Sequence, residues 1–180
     1  AYTSIANATE SINLMAPPHV ATEKAIIKTG IPYSFLRNNW YLENEIGSIQ
    51  GALAGAPWVT SAGEGKVGWA LQQDYADAAA AVLVGNGHEN TVYELSGPLL
   101  TQEELASALG NVLGKDIPVQ QVNDEQYAEI MRGLGLPDFV IPIVVGIQES
   151  IRNGSLQIKS NDFEKVLGRP VTPIHEALNQ

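Results

Sequence analysis

The chain has 180 residues, 44% of them hydrophobic and 17% charged, which fits one soluble domain with an ordinary core. A formal net charge of −10 argues against binding to nucleic acids and to anionic membranes, because both depend on clustered lysine and arginine. The chain has no cysteine, so disulfide bonds, thiol catalysis and thiolate metal sites are excluded.

The sequence shows neither a signal peptide nor a segment of membrane-spanning length. Residues 1–10 lack the basic and apolar parts of a signal peptide. The longest apolar run, residues 139–147, is about half as long as a spanning helix and contains Pro142 and Gly146. We therefore expect a cytoplasmic protein, and the start at Ala1 instead of methionine suggests a processed chain or a fragment.

The first hundred residues alternate strand and helix signals. In chain order, the predicted elements are a strand over 1–4, a helix over 17–28, a strand over 33–37, a helix over 42–54, short strands over 58–60 and 67–71, a helix over 74–84 capped by Asp74, and a strand over 92–95. The two short strands flank a glycine-rich turn, which predicts a hairpin insertion near 57–71. Strand–helix–strand order with long crossovers predicts an α/β protein with a parallel sheet.

The remaining residues are dominated by helix signals. In chain order, we predict a helix from Thr101 to Gly114 with a capping box at Glu104, an edge strand over 117–119, a helix capped by Asn123 with Gln126 in the box position, a helix over 137–152 kinked near Pro142, and a helix over 161–167 ended by Gly168. This part is expected to form a small cap on the carboxyl edge of the sheet.

Residues 63–68 match the letters of a glycine-rich dinucleotide motif, G-x-G-x-x-G. The motif requires a strand before its first glycine and a helix at its last, so that amide groups and the helix dipole meet a pyrophosphate. Here a predicted strand follows Gly68, and Glu64 would add negative charge to a phosphate site. We therefore interpret the segment as a hairpin turn.

Three polar residues near the first strand and helix are candidate ligand contacts. Lys24 on the first long helix could reach the carboxyl edge of the sheet and bind a ribose hydroxyl or a phosphate; the alternative is a solvated helix lysine. Thr3 and Ser4 at the end of the first strand could present hydroxyls to a ligand, or could bond to nearby backbone groups in a turn.

The strongest local feature is the run Asn38-Asn39-Trp40-Tyr41 directly after the second long strand. The two amides can pair with a carboxamide, and the two rings can stack on a flat heterocycle. The alternative is a strand-to-helix turn in which asparagine caps the helix and Trp40 lies in the core. In that case Glu43 and Glu45 belong to the first helical turn and are favoured by its dipole.

Metal and serine-hydrolase chemistry have no support in the sequence. His19, His88 and His175 lie far apart and none belongs to an H-E-x-x-H pattern. No G-x-S-x-G turn is present. The apolar run at residues 139–147 is more typical of core or of a homodimer surface than of a ligand wall.

Several motifs in fixed order resemble one known family. They are Tyr2-Thr3-Ser4, His19-x-x-x-Glu23-Lys24, Gly30-Ile31-Pro32-Tyr33, Leu36-Arg37-Asn38-Asn39-Trp40-Tyr41-x-Glu43-Asn44, Asp74-Tyr75-Ala76-Asp77-Ala78-Ala79 and Tyr93-Glu94-Leu95-Ser96-Gly97. Together they are similar to the second half of the NmrA-like atypical short-chain dehydrogenase/reductases, and within that family to the bacterial NAD(P)H:quinone oxidoreductases of type 2.

The resemblance implies the carboxyl-terminal part of a doubly wound, Rossmann-type sheet with a mainly helical cap. Residues 1–100 would be the second half of the dinucleotide-binding domain, and residues 101–180 the cap. It also implies NADP(H) as cofactor, with NAD(H) as the other option, and a quinone as substrate. Lys24 would be the catalytic residue that holds the nicotinamide ribose. The cofactor contacts would be Thr3, Ser4, Lys24, Asn38, Asn39 and Trp40, and the substrate contacts Trp40, Tyr41 and Phe139.

One position departs from the short-chain dehydrogenase pattern. Those enzymes carry Tyr-x-x-x-Lys, and the residue four before Lys24 is Val20. A quinone takes hydride readily and can collect its proton from water, so hydride transfer without the tyrosine remains feasible. The same departure suits a regulatory protein that only senses NADP(H), or a scaffold without nucleotide binding. We also expect the isolated chain to bind dinucleotide weakly, because the glycine fingerprint would precede Ala1.

Overall fold

The computed structural model of the protein describes residues 1–179. Its strands are β1 (Tyr2–Ile5), β2 (Ser34–Asn38), β3 (Trp40–Tyr41), β4 (Trp58–Thr60), β5 (Val67–Ala70), β6 (Thr91–Leu95), β7 (Leu99–Leu100) and β8 (Val119–Gln121). Its helices are α1 (Ala16–Lys28), α2 (Ile46–Leu53), α3 (Gln72–Val84), α4 (Gln102–Leu113), α5 (Asp124–Gly133), α6 (Ile141–Arg152), α7 (Asp162–Leu167) and α8 (Ile174–Ala177). A 3₁₀ turn at Leu42–Glu45 leads into α2.

The central sheet has the strand order β1-β2-β6, and all of its pairings are parallel. Ile5, Asn38 and Leu95 are paired at the carboxyl ends of the three strands, so the segments that follow them meet at one edge. The predicted parallel α/β sheet is therefore confirmed. This edge is where an open parallel sheet positions its ligands.

Local sequence signals set several helix boundaries as predicted. Thr101 and Glu104 form a reciprocal capping box at the start of α4, and Asn123 and Gln126 form a second one at α5. The helix α1 begins with two prolines in its first turn, where a missing N–H costs no intrahelical bond. Gly168 ends α7 in the left-handed conformation.

The prediction of a hairpin near 57–71 is wrong. The strand β4 pairs in parallel with β8, while β5 pairs in parallel with β3 and antiparallel with β7. The apolar runs were located correctly, but each strand found a partner outside its own turn. Long-range packing therefore decided the pairing, as it often does for short strands.

Two further predictions about helix ends are also wrong. Pro142 does not kink a helix over 137–152, because α6 begins at Ile141 and Pro142 lies in its first turn. Asp74 is not the cap of α3, whose N-cap is Leu71 without a side-chain hydrogen bond. The Asp74 carboxylate is instead buried and accepts hydrogen bonds from the backbone and hydroxyl of Thr172.

The larger hydrophobic core combines residues from both sides of position 100. Trp58 and Trp69 pack in one cluster with Leu105, Leu109 and Ile151. The division into residues 1–100 and 101–180 remains a prediction, and the two parts share this core. Within residues 1–179, no helix combines the length and the hydropathy needed to span a membrane.

Candidate functional site

A groove of about 380 Å³ lies between helix α1 and the segment that connects it to β1, which we call the β1–α1 loop (residues 6–15). The residues that line it are Ala8, Thr9, Ser11, Ala16, Pro17, Val20, Ala21 and Lys24. This volume is within the range of small-molecule sites. Because the loop follows the carboxyl end of β1, the groove opens at the edge of the sheet where ligands are expected.

Lys24 is the one predicted site residue that lines this groove. Its side chain is exposed, and the ion pairs among residues 1–179 do not include it. Val20 lies one helical turn before it and lines the same groove. An ammonium group without an internal partner, beside small side chains, is suited to hold a polar or anionic part of a ligand.

Next to Lys24, a partly buried ion network joins α1 to the central sheet. Arg37 on β2 donates two hydrogen bonds to the Glu23 carboxylate, at 2.9 and 2.7 Å, and a third of 3.1 Å to Glu94 on β6. The second oxygen of Glu94 accepts the backbone N–H of Asn7 at 3.0 Å. The network therefore extends from α1 to the beginning of the β1–α1 loop.

The two carboxylates of this network differ in acidity. Burial raises the pKa of Glu23, but the hydrogen bonds from Arg37 and the closeness of the Ser4 hydroxyl outweigh it, so the pKa lies below its usual value. Burial raises the pKa of Glu94 above its usual value, and the contacts from Asn7 and Arg37 only partly oppose this effect. Hydrogen bonding to Glu23 raises the pKa of Arg37 above its usual value.

Thr3 and Ser4 do not line the groove. Ser4 is buried in the cross-strand row with Arg37 and Glu94, facing Glu23. Its hydroxyl makes no hydrogen bond of ordinary geometry, although it is near enough to Glu23 to lower the pKa of that carboxyl. Thr3 is exposed on β1. Their predicted contacts with a cofactor remain predictions.

Asn38 and Asn39 are both buried, and their amide groups bond within the protein. Asn38 Nδ2 donates to the Tyr41 hydroxyl at 3.1 Å, while Asn39 Nδ2 donates to Ser96 Oγ and to the Leu156 carbonyl. Neither asparagine caps a helix, since Tyr41 is the N-cap of the 3₁₀ turn. The Oδ1 atom of each asparagine is buried without a hydrogen-bond partner, and the predicted contacts of both residues with a cofactor remain predictions.

Trp40 and Tyr41 are half-buried and have internal contacts. Trp40 Nε1 donates to Glu45 Oε1 at 3.2 Å, and Trp69 Nε1 donates to the same oxygen at 3.1 Å. The Tyr41 ring packs edge-on against Tyr75 at a centroid distance of 5.0 Å. Trp40 also packs against the core, as the alternative interpretation of this run required. A role for either ring in binding remains a prediction.

Under the alternative interpretation of this run, Glu45 is a carboxylate in the first helical turn, and it does lie in the 3₁₀ turn that leads into α2. The structure buries it and surrounds it with indole and amide donors. Burial raises the pKa of Glu45 above its usual value, against the opposing hydrogen bonds from Trp69, Trp40 and Gln102. Gln102 in turn accepts the indole N–H of Trp58. All three tryptophans of the chain therefore bond to the Glu45–Gln102 pair.

The glycines of residues 63–68 are explained by packing. A Cβ on Gly65 would meet the Ile151 carbonyl group, and a Cβ on Gly68 would meet Ser96 Oγ. Gly63 has a φ of +56°, a conformation that favours glycine. The strand β5 begins at Val67, so no helix starts at the end of the motif. The segment is therefore a turn and not a nucleotide-binding motif, but it is not the hairpin turn that was predicted, because β4 and β5 do not pair with each other.

An apolar surface lies between the β1–α1 loop and helix α6. Leu14 and Met15 of the loop are exposed, as are Phe139, two residues before α6, and Ile143 in the first turn of α6. The two sides touch, because a Cβ on Gly146 of α6 would lie 3.3 Å from Leu14 Cδ1. The loop that lines the Lys24 groove therefore also contacts α6.

Comparisons with known proteins connect this geometry to a family. No protein-family model matches the chain. It is 36% identical over 180 residues to quinone oxidoreductase 2 of Escherichia coli strain K12, covering 99% of this chain and 63% of that protein. A solved structure of the E. coli NADPH-dependent quinone oxidoreductase with NADPH superposes with a TM-score of 0.94 at 35% identity, covering 99% of this chain and 63% of the other.

A further relative bears the family name. An NmrA-like family domain-containing oxidoreductase of Aspergillus flavus is 22% identical over 178 residues, covering 90% of this chain and 54% of that protein. The predicted resemblance to the NmrA-like reductases is confirmed. The chain spans less than two thirds of the length of each of these relatives.

Sequence reasoning missed two parts of the site. The β1–α1 loop has no repeating pattern, so its groove-lining residues Ala8, Thr9 and Ser11 were not identified. The ion network was also missed, although charged residues within two predicted strands, Arg37 and Glu94, were a usable signal. A charge in a buried strand requires a partner, and each of these provides it for the other.

Proposed function

We propose that the protein is an NADPH-dependent oxidoreductase, that the Lys24 groove holds the nicotinamide end of the cofactor, and that the acceptor is a quinone or a similar electrophile. The observation that carries this proposal is the free Lys24 ammonium in a groove at the carboxyl edge of a parallel sheet. The E. coli structure with NADPH, at a TM-score of 0.94, supports it. Because the chain spans only part of its relatives, the activity is proposed for the whole gene product.

The residues present fit one end of such a cofactor. Small side chains from the β1–α1 loop leave room for a ring, and Lys24 could bond to the ribose. The glycine-rich segment 63–68 is not free to cradle a pyrophosphate, because Gly65 and Gly68 are packed against other backbone and side chains. Bound NADPH would supply the hydride, and a reduced quinone would take its remaining proton from water.

A second candidate is a regulatory protein that binds NADP(H) without turnover. The observation that favours it is Val20, which lines the groove where a dehydrogenase of the Tyr-x-x-x-Lys type has its tyrosine acid. A protein of this kind would bind NADPH and leave it reduced with every quinone offered. A quinone reductase would oxidise it.

Lys24→Ala is the direct test of the proposed role. Loss of a charge-assisted contact to the cofactor is expected to lower kcat/KM for quinone reduction by about 10- to 100-fold. The measurement is steady-state NADPH oxidation by the whole gene product with a simple naphthoquinone. Lys28→Ala is the matched control, since Lys28 is exposed on the same helix and does not line the groove.

If both lysine variants keep the activity of the original protein, Lys24 has no role in the reaction. If the original protein binds NADPH but never oxidises it, the regulatory function is favoured. Equilibrium binding of NADPH, measured by calorimetry on both variants, separates these two outcomes.

Phe139→Ala tests the proposed acceptor side. We expect KM for the quinone to rise by about threefold to tenfold, because an exposed aromatic ring that stacks on the acceptor would be lost. The affinity for NADPH should stay unchanged. Leu83→Ala is a suitable control, because Leu83 is an exposed apolar residue near the end of α3. An unchanged KM for several quinones would remove Phe139 from the acceptor site.

A further inference from the structure

The Lys24 groove has two walls that come from different parts of the chain. One wall is the α1 face with Val20 and Lys24, and the other is the β1–α1 loop with Thr9 and Ser11. The distance between these walls determines what the groove can hold. The residues that fix each wall to the sheet therefore control the geometry of the site.

The helix wall is fixed by Glu23, the residue next to Lys24. Its carboxylate receives both Nε and Nη2 of Arg37, at 2.9 and 2.7 Å, which is the bidentate geometry that only arginine provides. The Glu23 side chain is only 6% exposed, so little water competes for this contact. The position of α1 at this turn is thus set by the guanidinium.

The loop wall is fixed by Glu94. One of its oxygens accepts Nη1 of the same Arg37 at 3.1 Å, and the other accepts the N–H of Asn7 at 3.0 Å. Asn7 has a φ of +52°, and its carbonyl accepts the N–H groups of Glu10 and Ser11. The turn that places Ser11 in the groove therefore starts at the residue that Glu94 holds.

We propose that Arg37 is a positioning residue that sets the width of the Lys24 groove. A single guanidinium holds one wall through Glu23 and the other wall through Glu94. The claim that this arrangement places Lys24 against the cofactor rests on the proposed function. The arrangement itself concerns the protein without ligand and can be tested separately.

The test uses single substitutions in the whole gene product, with backbone amide NMR as the structural readout. Glu94→Gln keeps the shape of the side chain and weakens the loop contact, so it should shift the amide signals of Thr9 and Ser11. Glu23→Gln should shift those of Val20 and Lys24. Arg37→Met should shift both sets of signals. Arg37→Lys should shift both sets as well, because an ammonium group cannot bind two carboxylates in this geometry.

Kinetics provide the second readout. For Arg37→Lys, KM for NADPH is expected to rise by about tenfold while kcat changes by less than about threefold, the pattern of weakened binding. Arg152→Met is the matched control: Arg152 pairs with Asp124 and bonds to the Ser61 carbonyl, and neither of these residues lines the groove. Arg152→Met should lower stability without shifting the groove signals and without raising KM for NADPH.

Two outcomes would overturn the proposal. One is that the Glu23 and Glu94 variants leave the groove signals in place. The other is that they shift the same signals as Arg152→Met. Glu23→Gln and Glu94→Gln keep the size of the side chain, so they test the proposal even if Arg37→Met does not fold. If the amide signals shift as expected but the protein does not oxidise NADPH, the role of Arg37 is supported and the proposed function is rejected.

Discussion

Replacing Gly97 with alanine is expected to lower the free energy of unfolding by about 3 kcal/mol, the upper range for an overpacked site. The new Cβ would meet the backbone carbonyl of Trp69. Neither backbone can retreat freely, because the Gly97 N–H donates to the Gly68 carbonyl at 3.2 Å. The measurement is urea unfolding of the whole gene product followed by tryptophan fluorescence.

Gly47→Ala is the control for this substitution. Gly47 lies inside α2, and a Cβ there would meet nothing within 4 Å. Alanine should therefore leave stability unchanged or raise it by about 0.5–1 kcal/mol through its helix propensity. Equal effects of the two substitutions would show that Gly97 is not held by close packing.

Replacing Glu45 with leucine is expected to destabilise the protein by about 3 kcal/mol, because it leaves two indole N–H groups buried without an acceptor. Trp40 and Trp69 both donate to Glu45 Oε1. Glu45→Gln, which retains an oxygen at this position, should cost much less. Urea unfolding provides the energies, and near-UV circular dichroism reports on the three tryptophans directly. Equal losses for both variants would assign the effect to packing alone.

Glu45 also gives stability a defined pH dependence. Its native pKa lies above the ordinary value of 4.5, so the native state holds this proton more tightly than the unfolded state does. The stability that it contributes is complete below 4.5 and is lost as the pH rises through the native pKa. The Glu45→Gln variant should lack this decline, and its unfolding energy should therefore vary less with pH over that interval.

The features that the sequence predicted well are local ones. The capping boxes at Thr101 and Asn123 each depend on two side chains three residues apart, so the sequence alone specifies them. The parallel central sheet followed from the strand–helix–strand order. The same order places the Lys24 helix between β1 and β2, and Lys24 lines the groove beside it, while its role in binding stays a prediction.

The features that the sequence did not predict depend on distant partners. Nothing near β4 indicates that it pairs with β8 instead of β5. Glu45 has the pattern of an exposed helix-start residue, and only the folded core shows that Trp69 reaches it. Both cases involve tertiary contacts that override local preference.

The two prolines at the beginning of α1 have a consequence for what can sit beside them. The positive end of a helix normally offers several free amide donors to an oxyanion, but Pro17 and Pro18 have none and the Ala16 N–H is taken by the Asn13 carbonyl. Pro17 presents ring methylene groups to the groove instead. This end of the Lys24 groove therefore disfavours a diphosphate and favours a flat, uncharged ring. Any positive charge there comes from side chains alone.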